Sequence, residues 1–209
     1  MYQYWDEMWH KSKSEDYLKY INLERKPEFI KLFKENQVKS VCDAACGFGK
    51  FSALLGYNNF IVSGFDVSET AVELTKGCLR KFDIDYEAFI SCSITKIEFE
   101  DGRFDAVVAH AVIDHLTAND ARQAISELER IVRHDGLIYV TFDGLSDDDL
   151  TEEHELTEEG AFLYLTGDRK GMLFKHYRDD EIMALLKEQS IILFNTKENG
   201  EREVVYRKV

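Results

Sequence analysis

Residues 40–52, SVCDAACGFGKFS, constrain the fold of this chain more than any other stretch. An apolar run ends in Asp43 and passes straight into a turn made of alanines and glycines. Gly47 and Gly49 leave little side chain around this turn, so a bound group can lie against backbone N–H groups where the next helix begins. We therefore predict a buried strand whose carboxyl end carries a ligand-binding loop.

The composition is that of a soluble globular protein. The chain has 209 residues, of which 44% are hydrophobic and 32% charged, and this size predicts one domain with a proper core. No apolar run approaches the roughly 20 residues that cross a bilayer, and the first residues lack the pattern of a secretion signal. We therefore expect a cytoplasmic protein without a membrane partner. Four cysteines without framework spacing are predicted to be small buried residues, with no metal site: Cys42, Cys46, Cys78 and Cys92.

The charge balance restricts the possible partners. The chain carries 26 Lys and Arg against 40 Asp and Glu, a net charge of −14, which disfavours double-stranded nucleic acid. A local basic patch that suits a tRNA remains compatible with this balance. Residues 143–159 contain nine acidic residues and no Lys or Arg. Two interpretations of this segment stay open: a solvated surface segment, or a mouth that attracts cationic substrates.

Short β-like runs alternate with amphipathic helical segments through most of the chain. This alternation predicts βαβ units and a parallel sheet, in which ligands bind at the carboxyl ends of the strands. Ser68 is predicted to cap a helix that reaches Phe82, and Thr117 with Asp120 to cap another. Five β-like runs are predicted at residues 40–45, 60–65, 86–91, 104–109 and 137–142.

The end of the chain departs from this alternation. Residues 190–195 and 203–207 are both rich in β-forming side chains, and Asn199-Gly200 lies between them. Asn-Gly between two such runs is a strong hairpin signal. We therefore predict that the last strand runs antiparallel at one end of an otherwise parallel sheet of seven strands.

Asp66 is the second acidic residue that points to a ligand. It follows the second predicted strand, 17 positions beyond Gly49. A carboxylate at this place accepts two hydrogen bonds from a ribose diol, so the pattern indicates a nucleoside cofactor. The alternative is an acid that simply favours the start of the next helix.

Residues 43–49, DAACGFG, resemble the first motif of the class I S-adenosylmethionine-dependent methyltransferases, acid-x-Gly-x-Gly-x-Gly, with Ala45 in place of the first glycine. Alanine suits that position at negative φ and is a poor choice at positive φ. The dinucleotide fingerprint fits less well, because Ser52 stands where its third glycine belongs. Four further stretches resemble later motifs of the methyltransferases: residues 65–68 (FDVS), 102–110 (GRFDAVVAH), 112–116 (VIDHL) and 134–140 (HDGLIYV).

The resemblance implies a Rossmann-like three-layer α/β sandwich with a seven-stranded mixed sheet of order 3-2-1-4-5-7-6. It also implies S-adenosylmethionine as cofactor, with S-adenosylhomocysteine as product. Ser93 takes the place of the aspartate that usually receives the adenine amino group, although it is equally compatible with a plain loop serine. The positions that match cofactor-binding residues of the family are Asp43, Ala44, Ala45, Gly47, Gly49, Asp66, Val67, Ser93, Ile94 and His110.

The methyl acceptor is predicted to be a small molecule that reacts by in-line displacement. A general base is needed only when the acceptor must lose a proton, and His115 and Asp114 are the candidates. A structural hydrogen bond is the alternative for His115. The alternative functions are methylation of a tRNA or protein, and a non-catalytic S-adenosylmethionine-binding partner subunit; an NAD-dependent enzyme ranks below them.

The resemblance also implies how the chain is divided. The protein is expected to act as a monomer or homodimer. We expect a single methyltransferase domain with four parts. Aromatic residues of the first and third parts are predicted to fold over the strand ends as a lid. The parts are an N-terminal helical cap at residues 1–37, a cofactor-binding core at 38–142, a lid or substrate region at 143–177, and a C-terminal helix and hairpin at 178–209.

Overall fold

A computed structural model describes residues 2–13, 17–186 and 190–209, so that residues 14–16 of the predicted cap and 187–189 of the predicted C-terminal part lie outside the described residues. Within these described ranges, ten strands form a seven-stranded and a three-stranded sheet. The strands are β1 (Ser40–Ala44), β2 (Ile61–Asp66), β3 (Phe89–Ser91), β4 (Phe104–Ala109), β5 (Val132–Phe142), β6 (His154–Leu156), β7 (Phe162–Tyr164), β8 (Leu173–Phe174), β9 (Ser190–Thr196) and β10 (Arg202–Arg207).

The large sheet has the order β3-β2-β1-β4-β5-β10-β9. Strand β1 lies inside the sheet and pairs in parallel with β2 and β4. Strand β10 runs antiparallel to both β5 and β9, and Gly200 in the connecting turn has a φ of +80°. Counted within this sheet, the order is the predicted 3-2-1-4-5-7-6. The Rossmann-like α/β prediction and the antiparallel last strand are confirmed.

Helices connect the strands and cover the sheet. Thr117 accepts a hydrogen bond from the Asp120 backbone N–H at 3.1 Å, as its predicted capping role requires. Ser68 stands directly before its predicted helix but makes no side-chain capping hydrogen bond. Its hydroxyl donates to the Asp6 carboxylate at 2.8 Å. The helices are α1 (Tyr2–His10), α2 (Glu28–Glu35), α3 (Lys50–Tyr57), α4 (Glu69–Lys81), α5 (Ala118–Ile131), α6 (Asp147–Thr151) and α7 (Asp179–Leu185), with a 3₁₀ turn at Ile113–His115.

The core has one apolar layer on each face of the large sheet. Neighbouring residues of β4 alternate between the layers: Val107 packs with α5 and α7, and Val108 with α2, α3 and α4. This alternation follows from the two-residue period of a strand. The prediction that the four cysteines are buried is confirmed, and all four are free thiols.

Two features of the strands differ from the sequence-based prediction. Strand β5 begins at Val132 rather than at residue 137, because residues 133–135 are polar and exposed and so carry no apolar signal. The three-stranded sheet β6-β7-β8 within residues 143–177 was not predicted. Its strands have only two or three residues, too few for a detectable alternation. Among the described residues, no helix is long and apolar enough to cross a membrane.

Two isoleucines in the large sheet test the assignment of the core. Ile138 in β5 is fully buried, whereas Ile61 in β2 is 55% exposed. We expect Ile138→Ala to lower the free energy of unfolding by about 2–5 kcal/mol, because it leaves a cavity in a packed layer. The matched change Ile61→Ala should cost less than about 1 kcal/mol. Urea unfolding followed by circular dichroism measures both, and equal losses would contradict the assignment.

Candidate active site

The loop after β1 has a strained left-handed backbone. Ala45, Gly47 and Gly49 all have positive φ, at +58°, +55° and +89°. For an alanine this conformation costs about 1–2 kcal/mol, so the surrounding structure must hold it. Two bonds do so: the N–H of Cys46 donates to the Phe65 carbonyl of β2, and the N–H of Gly49 donates to the Cys46 carbonyl, both at 2.9 Å.

Asp66, at the end of β2, ties this loop to the next helix. Its carboxylate accepts hydrogen bonds from the backbone N–H of Gly47 at 2.9 Å and of Ser68 at 3.0 Å. The residue is only 4% exposed, and burial raises the pKa of its carboxyl. Each oxygen that accepts one bond keeps capacity for a second. The same side chain can therefore organise the loop and still accept hydrogen bonds from a ligand.

Asp43, at the end of β1, is also buried, and its carboxylate accepts from the Ser52 hydroxyl at 2.5 Å. Burial raises its pKa to about 7. Ala44 and Gly49 lie behind the loop. Ala44 is fully buried in β1, and a Cβ on Gly49 would lie 3.0 Å from the Thr75 backbone of α4. These two predicted residues support the loop from behind and do not line a cavity.

A first chamber of about 90 Å³ opens over the ends of β1, β2 and β4. Four of the predicted cofactor-binding residues line this chamber, namely Ala45, Asp66, Val67 and Ile94. Ser93 is not among the lining residues, and its hydroxyl lies 2.8 Å from the Thr95 hydroxyl within its own loop. The chamber is lined by Trp5, Trp9, Ala45, Asp66, Val67, Ile94, Ala111, Val112, His115 and Leu116.

A second chamber of about 420 Å³ lies beside the first and shares Trp9, Ala45 and Ala111 with it. Ala111 also has a positive φ, of +50°, so both alanines at the boundary are strained. Sequence reasoning missed Phe48, Lys50 and Phe51 as lining residues, although they lie within or beside the glycine loop. The remaining lining residues of this chamber are Tyr17, Tyr20, Asp43, Cys46, Gly47 and His110.

Helix α1 covers the loop. A Cβ built on Gly47 would lie 2.9 Å from the Trp9 ring, so the absence of a side chain lets Trp9 rest directly on the backbone. Trp5, one turn earlier, packs edge-on against the His115 ring at 4.7 Å. On its other side Trp5 joins an apolar cluster of the small sheet around Tyr164 and Phe174.

His115 is held in one tautomer. Its Nδ1 lies 2.8 Å from the Leu173 carbonyl oxygen, and because a carbonyl only accepts, Nδ1 carries the hydrogen. In the neutral ring Nε2 therefore presents a lone pair. Burial lowers the pKa of His115 to about 4. The ring is neutral at pH 7 and forms part of the first chamber's wall.

Asp114 lines neither chamber. It is fully buried, its carboxylate accepts from the Asp143 backbone N–H at 2.8 Å, and burial raises its pKa well above the usual range. His110, by contrast, lines the second chamber and stacks on Phe51 at 4.3 Å. Burial, followed by the charge of Lys50, lowers the pKa of His110 to about 3.

The comparisons with known proteins agree with this geometry. Residues 42–140 match the family model described as a methyltransferase domain. That stretch runs from β1 to β5 and contains the glycine loop, Asp66 and His115. Residues 42–140 therefore carry a methyltransferase domain of the class I S-adenosylmethionine-dependent family. S-adenosylmethionine is accordingly its cofactor.

Two solved structures show the methyltransferase fold over almost the whole chain. The PH0226 protein of Pyrococcus horikoshii OT3 is 23% identical, with a TM-score of 0.73, and the match covers 95% of this chain and 100% of that one. The 1,6-didemethyltoxoflavin-N1-methyltransferase of Burkholderia thailandensis, solved with its substrate and S-adenosylhomocysteine, is 14% identical. Its TM-score is 0.67, with 97% of this chain and 81% of that chain covered.

A curated relative is similar over a shorter stretch. The tRNA (carboxymethyluridine(34)-5-O)-methyltransferase alkbh8 of Xenopus tropicalis is 36% identical over 104 residues. These residues make up 48% of this chain and 15% of that relative. This chain therefore matches only a small part of that protein's length.

The acidic segment 143–159 stays outside the methyltransferase cleft. None of its residues lines either chamber. Part of it is ordered by its own contacts: Asp149 pairs with Arg169, and Glu159 accepts from the Ala118 backbone N–H at 2.7 Å. Asp147 and Asp148 are exposed. This placement favours the interpretation as a solvated surface segment.

The strained alanine gives a direct test of the loop geometry. We expect Ala45→Gly to leave the free energy of unfolding unchanged or raise it by up to about 1 kcal/mol, because glycine adopts positive φ without the cost that alanine bears. The control Ala44→Gly, in a buried strand, should lower it by roughly 1 kcal/mol or more. Urea denaturation measures both, and a clear loss of stability in Ala45→Gly would show that the loop is not left-handed at this residue.

Proposed function

We propose that this protein transfers a methyl group from S-adenosylmethionine to a small-molecule acceptor by in-line displacement. The observation that carries the proposal is the pair of chambers at the carboxyl ends of the strands, which meet at Ala45 and Ala111. One chamber has the residues expected to hold a nucleoside. The other, which Asp43 and Gly47 line, is large enough for the rest of the cofactor, within the range of about 300–1,000 Å³ usual for ligand pockets.

The residues of the first chamber suit the adenosine part of the cofactor. Asp66 would accept the ribose hydroxyls, and Val67 with Ile94 would supply the apolar surface on which adenine packs. The backbone at Gly47 and the partly protonated Asp43 would hold the amino-acid part. When bound, S-adenosylmethionine supplies a methyl group already activated on a sulfonium.

The chain's own contribution is then positioning and the exclusion of water. Trp5 and Trp9 cover the cleft from α1, and the small sheet packs behind Trp5 through Phe174. This supports a lid formed by residues of the predicted parts 1–37 and 143–177. A closed apolar cover strengthens electrostatic interactions within the cleft and holds two reactants in line.

Neither histidine in the cleft suits proton removal at neutral pH. A general base works best with a pKa near the working pH, and the pKa values of His115 and His110 are about 4 and 3. His115 is better suited to accept a hydrogen bond at Nε2 and so to orient a ligand. Acceptors that need no proton removal before attack are therefore favoured.

Methylation of a tRNA nucleoside is the second candidate function, supported by the relative that acts on carboxymethyluridine in tRNA. The net charge of −14 weighs against a polyanionic substrate. Incubation with tritiated S-adenosylmethionine and either total tRNA or a small-molecule extract separates the two. Label in the tRNA fraction alone would contradict the small-molecule proposal.

Asp66 tests the cofactor site. We expect Asp66→Asn to weaken S-adenosylhomocysteine binding at least ten-fold in calorimetry, because an amide offers the ribose one acceptor oxygen in place of a carboxylate. Because the Asn amide keeps only one of the two acceptor oxygens, one backbone N–H loses its partner, and urea unfolding of the variant checks that the fold persists. The control Glu73→Gln changes an exposed carboxylate of α4. Equal affinity in the wild type and Asp66→Asn would contradict the ribose assignment.

His115 provides a test that needs no acceptor. We expect its imidazole to titrate at about 4 by NMR, with His115→Gln identifying the signal. Because the folded pKa lies below the unfolded one, the neutral ring contributes stability above about pH 6.5. This contribution is lost as the pH falls toward 4. The wild type should accordingly lose more stability than His115→Asn between these pH values, and a measured pKa near 6.5 would contradict the burial argument.

A further inference from the structure

Helix α1 forms one side of the first chamber. Eight of the ten lining residues belong to the strand ends or to the segments that follow them, and the other two are Trp5 and Trp9 of α1. The strand ends are held by the backbone hydrogen bonds of the sheet, as in the pairing of β1 with β2 and β4. The side that α1 supplies is therefore the one that can move without breaking the sheet.

The closed position of α1 leaves too little room for the cofactor. The first chamber has a volume of about 90 Å³, which is room for roughly three water molecules at about 30 Å³ each. Ligand pockets usually have about 300–1,000 Å³. The chamber must therefore widen before an adenosine group enters it, and an outward movement of Trp5 and Trp9 provides that space.

Trp9 also lies where the two parts of the cofactor would be joined. It lines both chambers, together with Ala45 and Ala111. A Cβ on Gly47 would lie 2.9 Å from the Trp9 ring, so the indole takes up the surface directly over that bare backbone. Glycine lets a ligand approach the backbone closely, and the amino-acid part of the cofactor needs this same surface. Trp9 and the cofactor therefore compete for one place on the loop.

A short hydrogen bond holds α1 in the closed position. The Asp6 carboxylate accepts from the Ser68 hydroxyl at 2.8 Å, and we call this contact the latch. The hydrogen bonds described from Tyr4 and His10 to residues outside the helix are longer, at 3.3 and 3.5 Å. Ser68 comes directly before α4, and the N-terminal end of a helix attracts a negative charge. The latch therefore ties α1 to the start of α4.

A second carboxylate weakens the latch. Asp66 accepts a hydrogen bond from the N–H of Ser68, so both acids are bonded to the same residue. Burial is the main cause of the raised pKa of Asp66, and the charge of Asp6 adds to it. Two like charges so close together disfavour the closed position. The opening of α1 is therefore easier than the length of the Asp6 hydrogen bond alone suggests.

We propose that α1 is a gate that excludes S-adenosylmethionine when closed, and that the latch between Asp6 and Ser68 sets how often it opens. The cofactor enters while Trp9 is lifted off Gly47. Where the closed form predominates, the observed rate of association is proportional to the open fraction. This inference concerns the entry of the cofactor and so goes beyond the proposed transfer to an acceptor.

Stopped-flow binding of S-adenosylhomocysteine tests the gate. The chain has two tryptophans, both in α1, so their fluorescence reports on this helix. We expect Asp6→Ala and Ser68→Ala to raise the association rate constant about three-fold or more, because each removes a charge-assisted hydrogen bond that keeps the gate closed. Glu7→Ala is the matched control: Glu7 is an exposed neighbour of Asp6, bonded to Gln3 of the same helix at 3.0 Å, and its loss should leave the rate unchanged.

The same titration contains the result that overturns the gate. An association rate constant that is unchanged or lower in both latch variants shows that the cofactor enters without opening the latch. Asp6 is exposed, so its replacement leaves the core intact, and circular dichroism checks the fold of every variant. Failure of the wild type to bind S-adenosylhomocysteine at all would instead contradict the cofactor site, and the gate with it.

Trp9→Ala tests the competition at Gly47 separately, with Trp5 as the remaining fluorophore. We expect this variant also to associate faster with S-adenosylhomocysteine, since the ring that takes up the cofactor's place is gone. Slower association would show that the indole is part of the binding surface, and would overturn the proposal. In Trp5→Phe, where Trp9 is the single tryptophan, adding Asp6→Ala should increase the quenching of Trp9 by acrylamide; unchanged quenching would contradict the role of the latch.

Discussion

The carboxylate of Asp66 is the contact on which the rest of the site depends. It accepts one backbone hydrogen bond from the loop after β1 and one from the start of the segment that leads into α4. The bond from Gly47, together with the bond from the Cys46 N–H to the Phe65 carbonyl, holds at the tip of β2 a loop whose backbone is strained at Ala45. The loop in turn presents a bare backbone at Gly47, on which Trp9 rests. The positions of both chambers follow, because Trp9 and Ala45 lie between them.

Burial affects the pKa values of the titratable groups in the cleft more than ion pairs or hydrogen bonds do. Desolvation is the largest cause of the pKa shifts of Asp43, His110 and His115. It raises the pKa of the acid and lowers those of the histidines, so charged forms are disfavoured in all three cases.

The mixed character of the sheet could be predicted because its signals are local, whereas its strand order followed only from the family resemblance. Asn199-Gly200 between two β-rich runs specifies a hairpin, and the alternation of strands and helices specifies the parallel part. Asp66 could be placed in the cleft because parallel strands end at the same edge of the sheet. The left-handed backbone at Ala45 could not be predicted, since the local preference of alanine opposes it and only tertiary hydrogen bonds impose it. The neutral state of His115 likewise depends on cover from Trp5, which is distant in sequence.

A crystal structure of the complex with S-adenosylhomocysteine tests the two-chamber account most directly. The account predicts adenosine in the first chamber, with the ribose hydroxyls on Asp66, and the sulfur at the boundary formed by Ala45 and Ala111. The amino-acid part would then lie in the second chamber, beside Gly47 and Asp43. Adenosine in the second chamber, or a sulfur buried away from that boundary, would contradict the account.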